Sequence, residues 1–177
     1  MGHLRFLTEM RLKFPIYRKQ MKESIQMFKY YWEDFSDCGK LFLGDYQVSE
    51  KEILDFGTKY DPQYFLVDPV LAKESNFGGL IACGWHTCSI LMRLMCEKFL
   101  VDTSSMGSPG VDKLRWLVPL KPGDMVRGYW ELREKRESKS KENLGIIKAS
   151  VWGINQEGQC IITLEPSFMV FKRPKTN

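Results

Sequence analysis

Asp61 is the side chain in this sequence best suited to proton transfer. It lies in the loop Tyr60-Asp61-Pro62-Gln63, directly after a predicted helix. A carboxylate in such a loop can orient a water molecule or, once desolvated, donate a proton. A structural role is also open, because Asp before Pro commonly begins a turn. Gln63 is either a hydrogen-bonding group for a ligand or water, or an amide that fills the turn.

A pair of glycines before the next predicted helix forms a second chemical feature. Gly78 and Gly79 let the loop approach a ligand closely because they carry no side chain. The first turn of the helix predicted from Ile81 offers unpaired backbone N–H groups and the positive end of the helix dipole. These groups stabilise negative charge on a ligand oxygen. A purely structural interpretation, in which the glycines ease entry into the helix, remains open.

His86 is the only imidazole in the part of the chain that is expected to fold. A helix start lowers the pKa of a histidine and keeps it neutral, which suits a base. The alternative is a structural histidine bonded to the Asp68 region or to a neighbouring loop. Cys83 precedes it, and there a helix start favours a reactive thiolate, whereas burial makes a cysteine a small apolar residue.

Short elements are predicted around Asp61. Leu41 to Val48 reads as a strand, and Ser49-Glu50-Lys51-Glu52 has the capping-box pattern that opens a helix. Asp68-Pro69 then predicts a second short helix to Glu74, because Asp accepts backbone N–H bonds and Pro fits the first turn.

The segment from Ile81 to Leu100 predicts the architecture. Its apolar residues cover nearly the whole circumference of a helix, so most of its sides must be buried. Arg93, Glu97 and Lys98 fall inside it, which argues against a membrane span. A sheet must therefore cover this helix.

Four strand-forming runs follow, separated by turn-forming residues. Helices early and antiparallel strands late predict an α+β protein. Pro166 cannot donate to a ladder, so an edge or bulge is expected there. The runs are Val111 to Leu120, Met125 to Lys135, Leu144 to Asn155 and Gln159 to Phe171.

Charge sets a basic extension (residues 1–29) apart from the rest of the chain, which is interpreted as one domain (30–173) with a short tail (174–177). The first 30 residues hold seven Lys and Arg against two Glu, and the net charge of the whole chain is +4. The domain is therefore close to neutral, which argues against nucleic acid as a partner. The extension predicts a loosely packed leader or lid, with a membrane-surface helix or a targeting segment as alternatives.

Five cysteines without Cys-x-x-Cys spacing indicate free thiols in a reducing compartment such as the cytoplasm. The same spacing predicts no metal site. Stable membrane insertion is not expected either.

Several motifs together carry a family resemblance. The stretches Tyr60 to Asp68 and Phe77 to Thr87 resemble the active-site region of MaoC-like (R)-specific enoyl-CoA hydratases and dehydratases. The resemblance implies the hot-dog fold, a long central helix wrapped by an antiparallel sheet. It also implies a homodimer with its site at the subunit interface. Further matching stretches are Tyr31 to Phe35, Gly107 to Asp112, Leu114 to Trp116 and Pro119 to Asp124.

The same resemblance assigns roles. It implies that Asp61 is the acid/base and that the Gly84 backbone N–H is the oxyanion donor. Leu66 stands where the family has its second catalytic residue, a histidine. No cofactor is implied. Substrate-binding roles fall to Gln63, Gly78, Gly79, Trp85 and His86.

The leading functional prediction is a hydratase or dehydratase of acyl-CoA or acyl-carrier-protein thioesters, weakened by Leu66. One alternative is a catalytically silent subunit that binds an acyl thioester or supports an active partner. Another is an acyl-CoA thioesterase, with Asp61 activating water at the carbonyl carbon. Acyl chain length, carrier, and homo- or hetero-oligomer stay open.

Overall fold

A computed structural model describes residues 28–36 and 39–174 and shows a five-stranded sheet packed against one central helix. Most of the predicted N-terminal extension, and residues 175–177 of the tail, lie outside the described residues. The helices are α1 (Glu50–Tyr60), α2 (Tyr64–Val67) and α3 (Gly84–Met95). The strands are β1 (Leu41–Gln47), β2 (Ser105–Trp116), β3 (Met125–Glu137), β4 (Leu144–Ile154) and β5 (Cys160–Phe171).

The sheet has the strand order β1-β3-β4-β5-β2, and every neighbouring pair is antiparallel. The buried side chains of α3 pack in one core with buried residues of β1, β3, β4 and β5. The α+β class and the hot-dog arrangement of helix and sheet are thus confirmed.

The predicted capping box begins α1. The Ser49 hydroxyl accepts from the Glu52 N–H at 3.2 Å, and the Glu52 carboxylate accepts from the Ser49 N–H at 2.9 Å. These two bonds satisfy donors that the first turn of a helix cannot satisfy within itself. Helix α1 then runs to Tyr60, which places Asp61 at its C-cap.

The central helix starts later than its apolar pattern predicts. The start expected at Ile81 is wrong, because α3 begins at Gly84. Tertiary hydrogen bonds hold the preceding residues outside the helix: the Ile81 N–H donates to Phe65 O at 3.3 Å, and the Ala82 N–H donates to Leu120 O at 2.7 Å. At its other end α3 continues as a π-helical turn, Cys96–Leu100.

Helix α3 lies close to the sheet where glycines leave room for it. Gly44 and Gly128 pair across β1 and β3, beneath Leu94. A Cβ atom at residue 128 would lie 2.8 Å from Leu94 Cδ1, so a larger residue would force the Leu94 side chain to move. On the opposite face of α3, the side chains of Trp85, Ser89 and Met92 are exposed. The sheet therefore covers less of the helix than the sequence pattern predicts.

Strand β2 forms one edge of the sheet and is exposed along most of its length. It begins before the predicted Val111, because an edge strand tolerates glycine, proline and bulges, and its register shifts three times. Pro166 lies in the interior strand β5, paired with Val111 of β2 and away from the register shifts of both ladders, so the expected edge or bulge position is wrong. The β4–β5 ladder passes from the Ser167 pair to the Leu164 pair without using Pro166.

A short N-terminal segment closes one end of the sheet. Its 3₁₀ turn, Trp32–Asp34, packs Trp32 against Gly145 of β4. The Arg173 guanidinium forms an ion pair with Asp34, and its backbone N–H donates to the Glu33 carboxylate at 2.9 Å. Domain limits at residues 30 and 173 stay a prediction.

Within the described ranges, no helix combines the length and the apolar character that a membrane span requires.

Candidate active site

An open cavity of about 460 Å³ lies at the N-terminal end of α3. Its wall is formed by residues from the end of α1 and from the start of α3. The lining residues are Phe56, Tyr60, Asp61, Cys83 and Trp85. The cavity therefore lies between the Asp61 carboxylate and the start of the helix, the two chemical features that the sequence predicts.

Both carboxylate oxygens of Asp61 accept hydrogen bonds from side chains. The Gln63 amide Nε2 donates to Oδ1 at 2.8 Å, and the Cys83 thiol donates to Oδ2 at 3.2 Å. The carboxylate is thus held by neighbouring side chains rather than used as a turn-forming acceptor. An ionised carboxylate has about four acceptor positions, so two remain for a water or a ligand.

Cys83 is the N-cap residue of α3, and its side chain is buried. Burial raises the pKa of the Cys83 thiol and the hydrogen bond to Asp61 acts in the same direction, although backbone hydrogen bonds from Trp85 and His86 oppose the shift. The alternative of a reactive thiolate at this helix start is therefore not supported. Cys83 is a protonated donor beside a carboxylate.

Gly84 is the first residue of α3. Among the described residues, its N–H donates to no backbone carbonyl of a loop or turn. Its own carbonyl accepts from the Trp116 indole at 2.8 Å. A Cβ at residue 84 would lie 2.6 Å from that indole ring. Glycine is therefore required at this position, and its N–H remains available to a ligand oxygen.

His86 is buried and does not reach Asp68. Its ring stacks on Phe56, with a centroid distance of 4.8 Å and an interplanar angle of 4°. Within the described residues, Nδ1 has no hydrogen-bond partner. Asp68 instead accepts from the Val70 and Leu71 N–H groups. The hydrogen bond expected between the His86 side chain and the Asp68 region or a neighbouring loop is therefore wrong. The ring instead packs on Phe56, which lines the cavity.

Leu66 is 2% exposed and does not line the cavity. It packs in a small apolar cluster with Ile81 and Cys83, against the side of the site. An apolar side chain therefore fills the position where the resemblance implies an imidazole.

The glycine pair lies apart from the cavity wall. Gly78 and Gly79 have φ values of 66° and 157°, in a region that favours glycine. Neither belongs to the lining, so their ligand-binding role stays a prediction. Trp85 does line the cavity and is 61% exposed, with its ring edge-on to Trp116 at 5.6 Å.

Sequence reasoning missed the aromatic wall of the cavity. Phe56 and Tyr60 are four residues apart on α1, with ring centroids 4.9 Å apart. That spacing puts two side chains on one helix face. Their position directly before Asp61 was the signal that would have identified them.

The fold defines a protein of the hot-dog class, with the Asp61 carboxylate at a cavity beside the start of the central helix. The sequence profile described as "MaoC like domain" matches residues 40–151, so this chain belongs to the MaoC-like family.

Known relatives agree with this assignment. The chain is 30% identical to the crystal structure of a MaoC-like dehydratase from Rhodospirillum rubrum, covering 82% of this chain and 99% of that one, with a TM-score of 0.76. It is 26% identical to the uncharacterised protein YdeM of Bacillus subtilis, over 70% of this chain and 86% of YdeM. An (R)-hydratase from Pseudomonas aeruginosa is 19% identical, over 80% of this chain and 86% of that one, with a TM-score of 0.63. The last similarity shows the fold alone.

Proposed function

We propose that this chain binds acyl thioesters of coenzyme A or of an acyl carrier protein and hydrates 2-enoyl thioesters, or catalyses the reverse dehydration. The observation that carries the proposal is the cavity in which Asp61 lies beside the start of α3. The 30% identical protein from Rhodospirillum rubrum is described as a dehydratase, which supports the same reaction class.

Water activation and charge stabilisation each have a candidate group at this site. The Asp61 carboxylate takes a proton from water, and the Gln63 amide fixes one of its oxygens. The Gly84 N–H stabilises the negative charge that develops on the thioester oxygen. Phe56, Tyr60 and Trp85 supply an apolar wall for the acyl chain.

Leu66 sets the expected rate. Loss of one general acid or base typically costs about 10²- to 10⁴-fold in rate, so hydration is expected to be slow rather than absent.

A silent binding subunit is the second candidate, and the full burial of Leu66 is the observation that favours it. In this case the cavity and its aromatic wall would hold a thioester without any turnover.

We further propose a homodimer in a reducing compartment such as the cytoplasm. Trp85, Ser89 and Met92 form an exposed stripe on α3, and β2 is an exposed sheet edge. A second copy of the chain would cover both, which the sedimentation mass of the purified protein tests. The four described cysteines are free, in agreement with such a compartment.

Crotonyl-CoA hydration by purified wild type, Asp61→Asn and Asp55→Asn tests the function. Asp55 is the matched control, because it lies on α1 in an exposed pair with Lys51. Asp61→Asn is expected to lower kcat about 10²- to 10⁴-fold, and Asp55→Asn to leave it unchanged.

Acyl-CoA should also raise the melting temperature of all three proteins, since a ligand of the folded state stabilises it. A melting shift without turnover would establish the binding subunit, and release of free CoA thiol a thioesterase. Absence of any shift across several acyl lengths would remove both leading functions.

A further inference from the structure

The Cys83 thiol is a second proton-bearing group at the cavity, and the roles of Asp61 and Gly84 leave it without a function. Its Sγ lies 3.2 Å from Asp61 Oδ2, and both residues line the same space. The two residues are 22 positions apart in the chain, so the fold alone brings them together.

The direction of this hydrogen bond fixes the state of the sulfur. An ionised carboxylate can only accept, so the thiol must donate. The thiol is held in the protonated form by burial. Cys83 is therefore placed to act as an acid and not as a nucleophile.

We propose that Cys83 is the catalytic acid that gives the second proton of the hydration, in place of the imidazole absent at Leu66. The inference rests on the proposed function. Leu66 packs against Cys83, so the sulfur lies next to the position that the missing side chain would occupy.

The proton transfers balance within the site. Water adds its oxygen to Cβ of the enoyl group, and its proton passes to Asp61. The π electrons move to form the enolate, whose oxygen accepts from the Gly84 N–H. The Cys83 S–H then protonates Cα, and Asp61 returns its proton to the thiolate across the 3.2 Å contact. One water is consumed, and both side chains are regenerated.

A thiol is strong enough as an acid for this step, because the Cα–H bond that it forms in the product is far less acidic. A hydroxyl of similar size preserves the hydrogen bond to Asp61 but is a much weaker acid. Serine at residue 83 therefore separates proton donation from positioning.

Steady-state hydration of crotonyl-CoA by wild type, Cys83→Ala and Cys83→Ser tests the inference. Cys83→Ala is expected to lower kcat about 10²-fold or more with little change in KM, because an acid acts in the transition state only. Cys83→Ser is expected to stay well below wild type in kcat. Cys96→Ala, the same substitution in the turn that extends α3, is the matched control and should leave kcat unchanged.

The outcomes separate the two proposals. An unchanged kcat in Cys83→Ala, or a wild-type rate in Cys83→Ser, would overturn the acid role while the hydratase function stands. A wild type that acyl-CoA stabilises but that shows no hydration would overturn the acid role and leave binding. A wild type with neither property would overturn the proposed function itself.

Discussion

The two ends of the central helix differ in how their polar groups are used. At the C-terminal end, Phe99 O accepts from the Thr103 hydroxyl at 2.8 Å and from the Asp102 N–H at 3.1 Å. At the N-terminal end, the Asp61 carboxylate lines a cavity beside the first turn of α3. The ends of α3 itself are about 18 Å apart, at 1.5 Å per residue.

Aromatic rings show the same contrast. Phe35, Phe99 and Trp130 pack against one another at the C-terminal end, with centroid distances of 5.7 to 6.3 Å. At the N-terminal end, Trp85 and Tyr60 are largely exposed beside the cavity. The C-terminal rings also line a smaller cavity of about 220 Å³, but they pack mainly on one another and so stabilise the fold. The exposed rings at the N-terminal end are available to a ligand. The C-terminal end is therefore expected to govern stability and the N-terminal end chemistry.

Trp130→Ala should produce the largest effect on stability. Trp130 is 3% exposed, and truncation of a buried aromatic residue to alanine typically costs about 3 to 5 kcal/mol. Chemical denaturation measures this loss. The increase in melting temperature given by acyl-CoA should persist, because the cavity lies at the other end of the helix.

Trp130→Phe is the matched control for this substitution. The indole Nε1 has no hydrogen-bond partner among the described residues, so phenylalanine removes a buried unpaired donor and keeps a ring. We expect a much smaller change than for alanine. Loss of acyl-CoA binding in a stable Trp130 variant would contradict the assignment of ligand binding to the N-terminal end alone.

Leu66→His sharpens the comparison at the N-terminal end. Leu66 is packed on all sides, so an introduced imidazole would be buried beside Ile81 and Cys83. We expect a loss of about 1 to 3 kcal/mol in stability and no gain in hydration, because a buried polar group without a partner is costly.

Leu66→Met controls for packing alone, since a swap that conserves volume usually costs less than about 1.5 kcal/mol. Denaturation and crotonyl-CoA assays on both variants measure the two effects. A His variant that is as stable as wild type and faster would show that residue 66 can face the substrate.

Low pH should lower the stability of the protein through groups near the N-terminal end of α3, by less than the substitutions above. Burial lowers the pKa of His86 below its usual 6.5, although the nearby Glu52 carboxylate opposes this shift. The unfolded chain then binds a proton more readily, so stability is fully present above pH 6.5 and declines as the pH falls below it. Glu52, whose pKa is about 2, adds a second loss below pH 4.5.

Melting temperatures between pH 7 and 5 measure the first of these losses. His86→Gln should flatten the dependence in this window, and His3→Ala separates the contribution of the other imidazole. An equally steep dependence in His86→Gln would assign the effect to another group.

Local patterns in the sequence predicted most of the fold. The capping box at Ser49 and the strand-forming runs depend on residues within a few positions, and the structure contains them. The start of α3 depends instead on hydrogen bonds from Ile81 and Ala82 to distant carbonyls. Such bonds have no local signature, so the apolar pattern placed the start too early.

The site was only partly predictable for the same reason. Asp61 and Gly84 follow from motifs, but the contact between Asp61 and Cys83 needs the loop that joins α1 to α3. Burial of His86 against Phe56 likewise depends on how α1 packs on α3. A sequence shows which side chains are available, whereas their partners depend on tertiary packing.

The ion pair between Arg173 and Asp34 also has a topological consequence. It joins segments 139 positions apart, so the first and last segments of the domain lie next to each other. When the two ends of a domain lie close together, the positions of the chain termini can be changed without changing how the elements pack. New ends at the exposed loop of residues 138–142, between β3 and β4, would leave both the cavity and the aromatic cluster within one uninterrupted chain.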